Sequence, residues 1–235
     1  MSILCVICAR GGSKGIKNKA LIRINKKPLI SITIKQAIRS RIFDEIIVST
    51  DSLKIQKIAK FYGAKSWFLR PKNISSDNSS KLLAIKHAFL ESEKYFNKKF
   101  NICFDLDVTS PLRSVNDIKL ALKKFKKNKN CKNLFSVNYA KKNPYFNMVE
   151  KKNNFYVLSK QNGIKYFSRQ KLPKVFEMNA SIYIYKRQFL VNDYKLFNSN
   201  TSVYLMPRER SIDIDDYLDL KIVKSIIKNH AKLFR

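Results

Sequence analysis

Two groups of residues in this chain have the types and the spacing to do chemistry. The first is Arg10-Gly11-Gly12-Ser13-Lys14-Gly15, followed closely by Lys17 and Lys19. Glycines permit a tight turn and let backbone N–H groups come close to an anion. Arg10, Lys14, Lys17 and Lys19 surround that turn with positive charge. Placed directly after a strand, the cluster suits a cradle for a polyphosphate, and also suits the plain surface turn after the first strand of an α/β domain. It has neither the Gly-x4-Gly-Lys-Ser/Thr spacing of a P-loop nor the Gly-x-Gly-x-x-Gly of a dinucleotide fingerprint. The second group is made of carboxylates. Asp105 and Asp107 close an apolar run and are followed by Thr109 and Ser110; such a set can hold a metal ion, a ribose or sugar hydroxyls. Asp213 and Asp215 are two apart, so on an extended segment they point to one side. Near phosphates, two such carboxylates make a Mg²⁺ site. Asp215 and Asp216 also precede a helical pattern, and from local sequence a helix cap is at least as good a reading.

The elements that must position these groups follow from apolar periodicity. Ile3 to Ala9 is an unbroken apolar run and reads as a strand buried on both faces. Helices are predicted over 31–40, 53–62 (capped by the Thr50-Asp51-Ser52 cluster and ended by Gly63), 81–96, 117–127 and 217–229. Strands are predicted over 45–49, 67–69, 102–104, 134–138, 179–185 and 203–206. Alternating strands and helices specify an α/β fold, a mainly parallel sheet with helices on both faces. From Tyr139 to Glu177 the rhythm breaks into short pieces, Tyr145–Val149 and Phe155–Leu158, which read as a β excursion or a plain surface hairpin.

Bulk properties narrow the class. The chain has 235 residues, 45% of them hydrophobic, which suits one domain over 1–235. No apolar stretch reaches the roughly 18 residues of a membrane span, and the N-terminal run lacks a basic leader, so a cytoplasmic protein with no membrane partner is expected. The formal net charge is +31, but the lysines are scattered among Asn and Ile and no nucleic-acid motif occurs, so nucleic acid is not the expected partner. The charge should draw anionic substrates. Cys5 and Cys8 sit three apart in a strand, on opposite faces, and read with Cys103 and Cys131 as reduced cysteines rather than a metal pair. His87 and His230 are too few for a histidine triad or zinc site.

Three motifs in order, ARGGSKGIKNKAL from Ala9, DVTSPLR from Asp107 and SIDIDD from Ser211, span nearly the whole chain. Together they resemble the N-acylneuraminate cytidylyltransferases, CMP-sugar synthetases that activate nine-carbon sialic-type acids. Arg70 to Asp77 resembles the family segment that lies along the nucleotide. The resemblance implies a Rossmann-like nucleotidyltransferase fold in which 139–177 is an inserted element that makes a homodimer and reaches the partner's site. It implies transfer of CMP from CTP to a nonulosonic acid, with release of pyrophosphate. Nucleotide contacts would come from Ala9, Arg10, Gly11, Gly12, Ser13, Lys19, Arg70 and Asp77. Sugar contacts would come from Asp107, Thr109, Ser110, Arg169 and Asn179. Asp213 and Asp215 would bind Mg²⁺. Arg10, Lys19 and Asp213 would be catalytic, with the proton taken by Asp213 or by metal-bound water. Ala20 stands where the family commonly has Asn, Asp107 where it has Gln, and Phe176-Glu177-Met178-Asn179-Ala180 where it has Phe-Arg-Pro-Asn-Gly. DLDVTSPLR is most similar to the legionaminate-activating branch. Competing readings are a neuraminate or Kdo-type synthetase and, from another class, a basic nucleic-acid-binding protein.

Overall fold

The computed structural model describes residues 1–12, 15–76, 79–161, 163, 168–193 and 195–229. In chain order the elements are β1 (Ile3–Cys8), β2 (Arg23–Ile24), β3 (Lys27–Pro28), α1 (Leu29–Ser40), β4 (Glu45–Ser49), α2 (Leu53–Phe61), α3 (Lys81–Tyr95), β5 (Ile102–Leu106), α4 (Val115–Lys127), β6 (Asn133–Tyr139), β7 (Val149–Lys152), β8 (Phe155–Leu158), β9 (Phe176–Lys186), α5 (Arg187–Asn192), β10 (Thr201–Leu205) and α6 (Tyr217–Asn229). The main sheet has the order β10-β6-β9-β5-β1-β4. β1 pairs in parallel with β4 and β5, and β6 with β10. β9 runs antiparallel between β5 and β6 and joins the two parallel parts.

Apolar side chains leave both faces of this sheet. Cys5 and Ile7 of β1 pack with Ile34 of α1, Ile55 of α2, Ile118 of α4 and Val223 of α6. Leu4 and Val6 pack on the other face with Ile85 and Phe89 of α3 and Phe189 of α5. A strand covered on both sides must be apolar at every position, which is why β1 reads as a continuous run rather than an alternation. Cys5 belongs to the first core and Cys8 packs against the second, and all four cysteines are free thiols.

Some elements differ from their sequence patterns. Trp67–Leu69 forms no strand; the local pairing is a single parallel bridge, Ile47 to Lys65. Trp67 instead stacks on Tyr95 with ring centroids 4.1 Å apart and meets Phe96 edge-on. Aromatic stacking against the end of α3 holds the triplet that reads as strand. β5 runs on to Leu106, so Asp105 lies inside the sheet and only Asp107 lies beyond its end. In the 139–177 excursion, Tyr145–Asn147 is turn rather than strand, while β7 and β8 form a hairpin apart from the main sheet. Val149, Phe155 and Tyr156 of that hairpin are exposed.

One buried carboxylate fixes the far side of the site. Ser114 and Asp117 form a reciprocal capping box that starts α4. Asp117 is 1% exposed and also takes both guanidinium contacts of Arg210, Nε at 2.8 Å and Nη2 at 3.0 Å, and the hydroxyl of Tyr204 at 3.1 Å. It thus ties α4 to β10 and to the start of the acidic 211–216 segment. Burial would raise its pKa, but the bonds from Arg210 and Ser114 outweigh burial and hold it below the usual carboxylate range. Its stabilisation is therefore full above the unfolded pKa and is lost as pH falls through the lowered one. Asp117→Ala is expected to cost about 3 kcal/mol at neutral pH, because Arg210 loses its partner in a buried pair. Thermal melts should show the gap between variant and wild type closing below about pH 4; equal melting temperatures at pH 7 would contradict this role for Asp117.

Candidate active site

A cavity of about 440 Å³ opens where β1 and β5 end, between the glycine turn, the start of α3 and the acidic segment before α6. The turn is held at several points. Ala9 N–H donates to Ser49 O at 3.0 Å, and Gly11 N–H donates to Asp51 Oδ1 at 2.7 Å. Ser52 caps α2 by accepting from Ile55 N–H, which leaves Asp51 to hold the turn. A side chain at Gly11 would come within 3.2 Å of Ser52 Cβ, and one at Gly15 would collide with the carbonyl of Asp215. Gly12 has open space around it. Close approach to the acidic segment therefore demands glycine at position 15. Ser13 and Lys14 lie outside the described residues, as do Asp77 and His230.

Cations line one side of this cavity. Arg70 is 7% exposed, and its Nε and Nη2 have no hydrogen-bond partner among the described residues. Its backbone is fixed by an N–H bond to Thr50 O at 2.8 Å. A buried guanidinium with unpaired N–H groups is costly unless something anionic completes it, and Arg70 lines the cavity. Arg10 and Lys19 line it as well. Lys19 Nζ donates to Ile214 O at 2.6 Å and lies 3.6 Å from Asp215 Oδ1, so the basic turn and the acidic segment hold each other. Ala20, at the position of the family's Asn, is buried in the same wall.

Carboxylates line the opposite side. Asp107 lies in the cavity wall with Thr109. Its Oδ1 accepts from Thr109 N–H at 3.1 Å and from Thr109 Oγ1 at 2.9 Å. Its Oδ2 accepts from Lys81 Nζ at 2.5 Å, and the same ammonium is 2.6 Å from Asp105 Oδ2. Asp105 has no exposure, and burial pushes its pKa up. Asp107 is held low: burial opposes this, but Lys81 and Thr109 outweigh burial. Arg113, also without exposure, bonds Ser181 O, Gln36 Oε1 and Asp107 O from behind.

Ser110 and Asn179 do not reach this wall. Ser110 is buried and donates to Asn179 O. The Asn179 amide accepts from Ser136 Oγ at 2.6 Å and donates to Ser211 Oγ at 2.9 Å, so it joins β6 and β9 to the acidic segment. These bonds give Ser110 and Asn179 a supporting place behind the cavity, and sugar contacts from them stay an expectation of the resemblance. Ala180 follows with φ 53°, where the family has Gly; this left-handed backbone costs an L side chain about 1 kcal/mol. Arg169 opens a short 3-10 turn, Arg169–Lys171, and its side chain lies outside what the structure describes.

The acidic segment separates two roles that its sequence leaves merged. Asp216 and Asp219 cap α6 reciprocally: Asp219 N–H donates to Asp216 Oδ1, and Asp216 N–H to Asp219 Oδ2. The side chains of Asp213 and Asp215 take no part in that cap. Among the described residues Asp213 Oδ1 is buried without a hydrogen-bond partner, and burial, then the charge of Asp107, push its pKa up to about 6. Asp215 has a side chain 81% exposed. Among the described residues no three carboxylate, thiol or imidazole groups stand together at metal spacing. The orphaned oxygen and the crowding of negative charge nevertheless fit a hard divalent cation whose remaining ligands are phosphate and water oxygens.

Arg10, Lys19, Arg70, Asp107, Thr109 and Asp215 thus converge from distant parts of the sequence. Sequence reasoning missed Lys81 in the cavity wall, and Asp51 and Arg113 as supports behind it. Lys81 had a local signal: a lysine in the first turn of a helix opposes the helix dipole, so something else must hold it there.

Comparison with known proteins agrees with this geometry. A family model described as cytidylyltransferase matches residues 4–228. CMP-N,N'-diacetyllegionaminic acid synthase of Campylobacter jejuni is 45% identical over 96% of this chain and 94% of its own. Post-translational flagellin modification protein B of Campylobacter coli is 44% identical over 96% of this chain and 95% of its own. Among solved structures, a CMP:2-keto-3-deoxy-manno-octonic acid synthetase complexed with CTP superposes with a TM-score of 0.72 over 98% of this chain and all of that one, at 17% identity, which speaks for the fold alone. The α/β sheet, the glycine turn and the carboxylates at the strand ends therefore belong to a nucleotidyltransferase, and this chain is a member of the cytidylyltransferase family.

Proposed function

We propose that the protein joins CTP to a nine-carbon nonulosonic acid, releasing pyrophosphate and the CMP-sugar, and that the acid is legionaminic acid. The observation that carries the reading is the cavity itself. A buried guanidinium with unpaired N–H groups, Arg70, stands on one side, and an ionised acceptor, Asp107, on the other. The first suits a polyphosphate nucleotide and the second suits a donor-rich sugar.

In this reading the triphosphate lies along Arg10, the Gly11-Gly12 backbone and Arg70, with Lys19 at its end. The sugar hydroxyl oxygen attacks the α-phosphorus in line. The bond from that phosphorus to the β-phosphate oxygen breaks, and pyrophosphate leaves with its electron pair. In this reading the hydroxyl proton passes to the Asp213 carboxylate. Asp213 and Asp215 would hold Mg²⁺, which when bound neutralises charge building up on the phosphate oxygens. Positioning and neutralisation carry most of such a reaction.

Support for the legionaminate branch comes from Asp107 and Glu177. Ionised Asp107 only accepts hydrogen bonds, whereas the Gln common at that position both donates and accepts. An acceptor suits a sugar that presents an amide N–H. Glu177 accepts from Asn138 Nδ2 at 2.5 Å, where an Arg would be a donor. Resemblance at 45% identity to a chain named for the diacetyllegionaminic product points the same way.

The test is pyrophosphate release with each of the four nucleoside triphosphates and a panel of legionaminic acid, N-acetylneuraminic acid and Kdo, with and without EDTA. We expect CTP and legionaminate to be preferred and EDTA to abolish turnover. Preference for neuraminate or Kdo would reject the branch, activity in EDTA would reject the metal, and no product with any acidic sugar would reject the function.

We also propose that the protein is a homodimer built on the 139–177 excursion. Val149, Phe155 and Tyr156 of the hairpin, with Tyr139 and Phe176 at its base, expose apolar surface of the kind that interfaces bury. Sedimentation should give twice the chain mass, and Phe155→Lys with Tyr156→Lys should give the monomer. A wild-type monomer at micromolar concentration would contradict the assembly.

A further inference from the structure

We infer that Lys81 is a positioning residue that sets the sugar side of the cavity, an inference that rests on the cytidylyltransferase reading above. A single ammonium stands between two carboxylates, 2.6 Å from Asp105 Oδ2 and 2.5 Å from Asp107 Oδ2. The two acids differ in what they face. Asp105 has no exposure, and neither of its oxygens meets a well-aligned hydrogen-bond donor among the described residues. Asp107 lines the cavity, as does Lys81 itself. The buried acid therefore anchors the ammonium, and the anchored ammonium fixes the acid that faces the ligand.

The anchoring is geometrically complete. Thr109 donates twice to Asp107 Oδ1, and Lys81 takes Oδ2, so the carboxylate is gripped at both oxygens and cannot turn. Each oxygen keeps lone-pair capacity for a donor from the cavity. The ammonium also lies 4.9 Å from the ring centre of Tyr183 on β9, which limits where it can move. The Lys81 ammonium counters the two carboxylates from the cavity side, and the buried Arg113 guanidinium counters them from behind. A sugar acid brings a carboxylate of its own. With the ammonium in place that carboxylate meets a partly neutralised pair; without it, the two acids would repel it.

Lys81 also sits at a junction. It is the first residue of α3, directly after Ser80, whose Oγ caps the helix by accepting from Leu82 N–H. The chain just before it, with Ser75, Ser76, Ser79 and Ser80, forms the cavity wall that continues from Arg70. The bond to Asp107 therefore ties the first turn of α3 to the end of β5. Its removal should loosen sugar recognition far more than recognition of the triphosphate, which Arg70 and the glycine turn hold.

The experiment separates positioning from a plain buried counter-ion. Lys81→Met leaves Asp105 buried and unpaired, so this variant alone is expected to lose stability. Lys81→Met with Asp105→Asn removes both buried charges and should restore the melting temperature. In that double variant the KM for the acidic sugar should stay raised by about tenfold or more, the scale of a lost charge-assisted contact, while the KM for CTP stays within about twofold to threefold. Lys81→Arg, which can bridge both acids, should recover most of the sugar KM. Return of the sugar KM to the wild-type value in the stable double variant would make Lys81 a counter-ion only and overturn the inference. Equal rises for CTP and sugar would overturn it as well. If wild-type protein releases no pyrophosphate from CTP with any acidic sugar, the functional reading falls and this inference falls with it.

Discussion

Asp105 has no exposure to water, yet it is a carboxylate in the middle of a sheet. An unpaired carboxylate there would cost several kcal/mol, and much of the surrounding architecture answers that constraint. Lys81 must sit at the first turn of α3, against the local preference of a helix N-terminus, to reach it. Arg113 must be buried behind the same strand end, where it fastens β9 through Ser181 and α1 through Gln36. Cys5, Cys8 and Cys103 crowd the same interior, and burial first, with the charge of Asp105 among the further causes, pushes their thiols up, which keeps them protonated and inert. Charge buried at the carboxyl edge of the sheet is thus a device for holding side chains at fixed places around a cavity.

The same logic joins the two ends of the chain. The glycine turn after β1 and the acidic segment before α6 are about 200 residues apart in sequence, and each is shaped by the other. Lys19 bonds Ile214 O, and Gly15 leaves room for Asp215 O. Asn179 and the Asp117–Arg210 pair then fix the acidic segment to the middle of the sheet. Rigidity of this sort is what a reaction governed by positioning needs.

Much of this was legible in the sequence. β1, α2, α3 and α6 declare themselves by apolar pattern and caps, and the glycine turn and the Asp pairs declare their chemistry by type and spacing. What was not legible depended on long-range partners. Trp67–Leu69 has strand composition, but its aromatic rings find Tyr95 and Phe96 instead of a neighbouring strand. Ser110 and Asn179 carry polar groups suited to a sugar, and only the fold shows that those groups are already bonded. Asp213, Asp215 and Asp216 look alike in the sequence, yet Asp219 selects Asp216 for the cap and leaves the other two free of it. Lys81 drew no attention because its partners lie 24 and 26 residues away, at the end of a strand.

The central claim is that the cavity is built around an anion that the protein itself does not supply, and Arg70 is where that claim is most exposed to test. Titration calorimetry of CTP against wild-type protein and Arg70→Ala, with melting temperatures taken alongside, addresses it directly. The account predicts that the variant melts no lower than wild type, since an unpaired buried charge has been removed, while CTP affinity falls by about tenfold to a hundredfold. Unchanged CTP affinity in a folded Arg70→Ala protein would contradict the account.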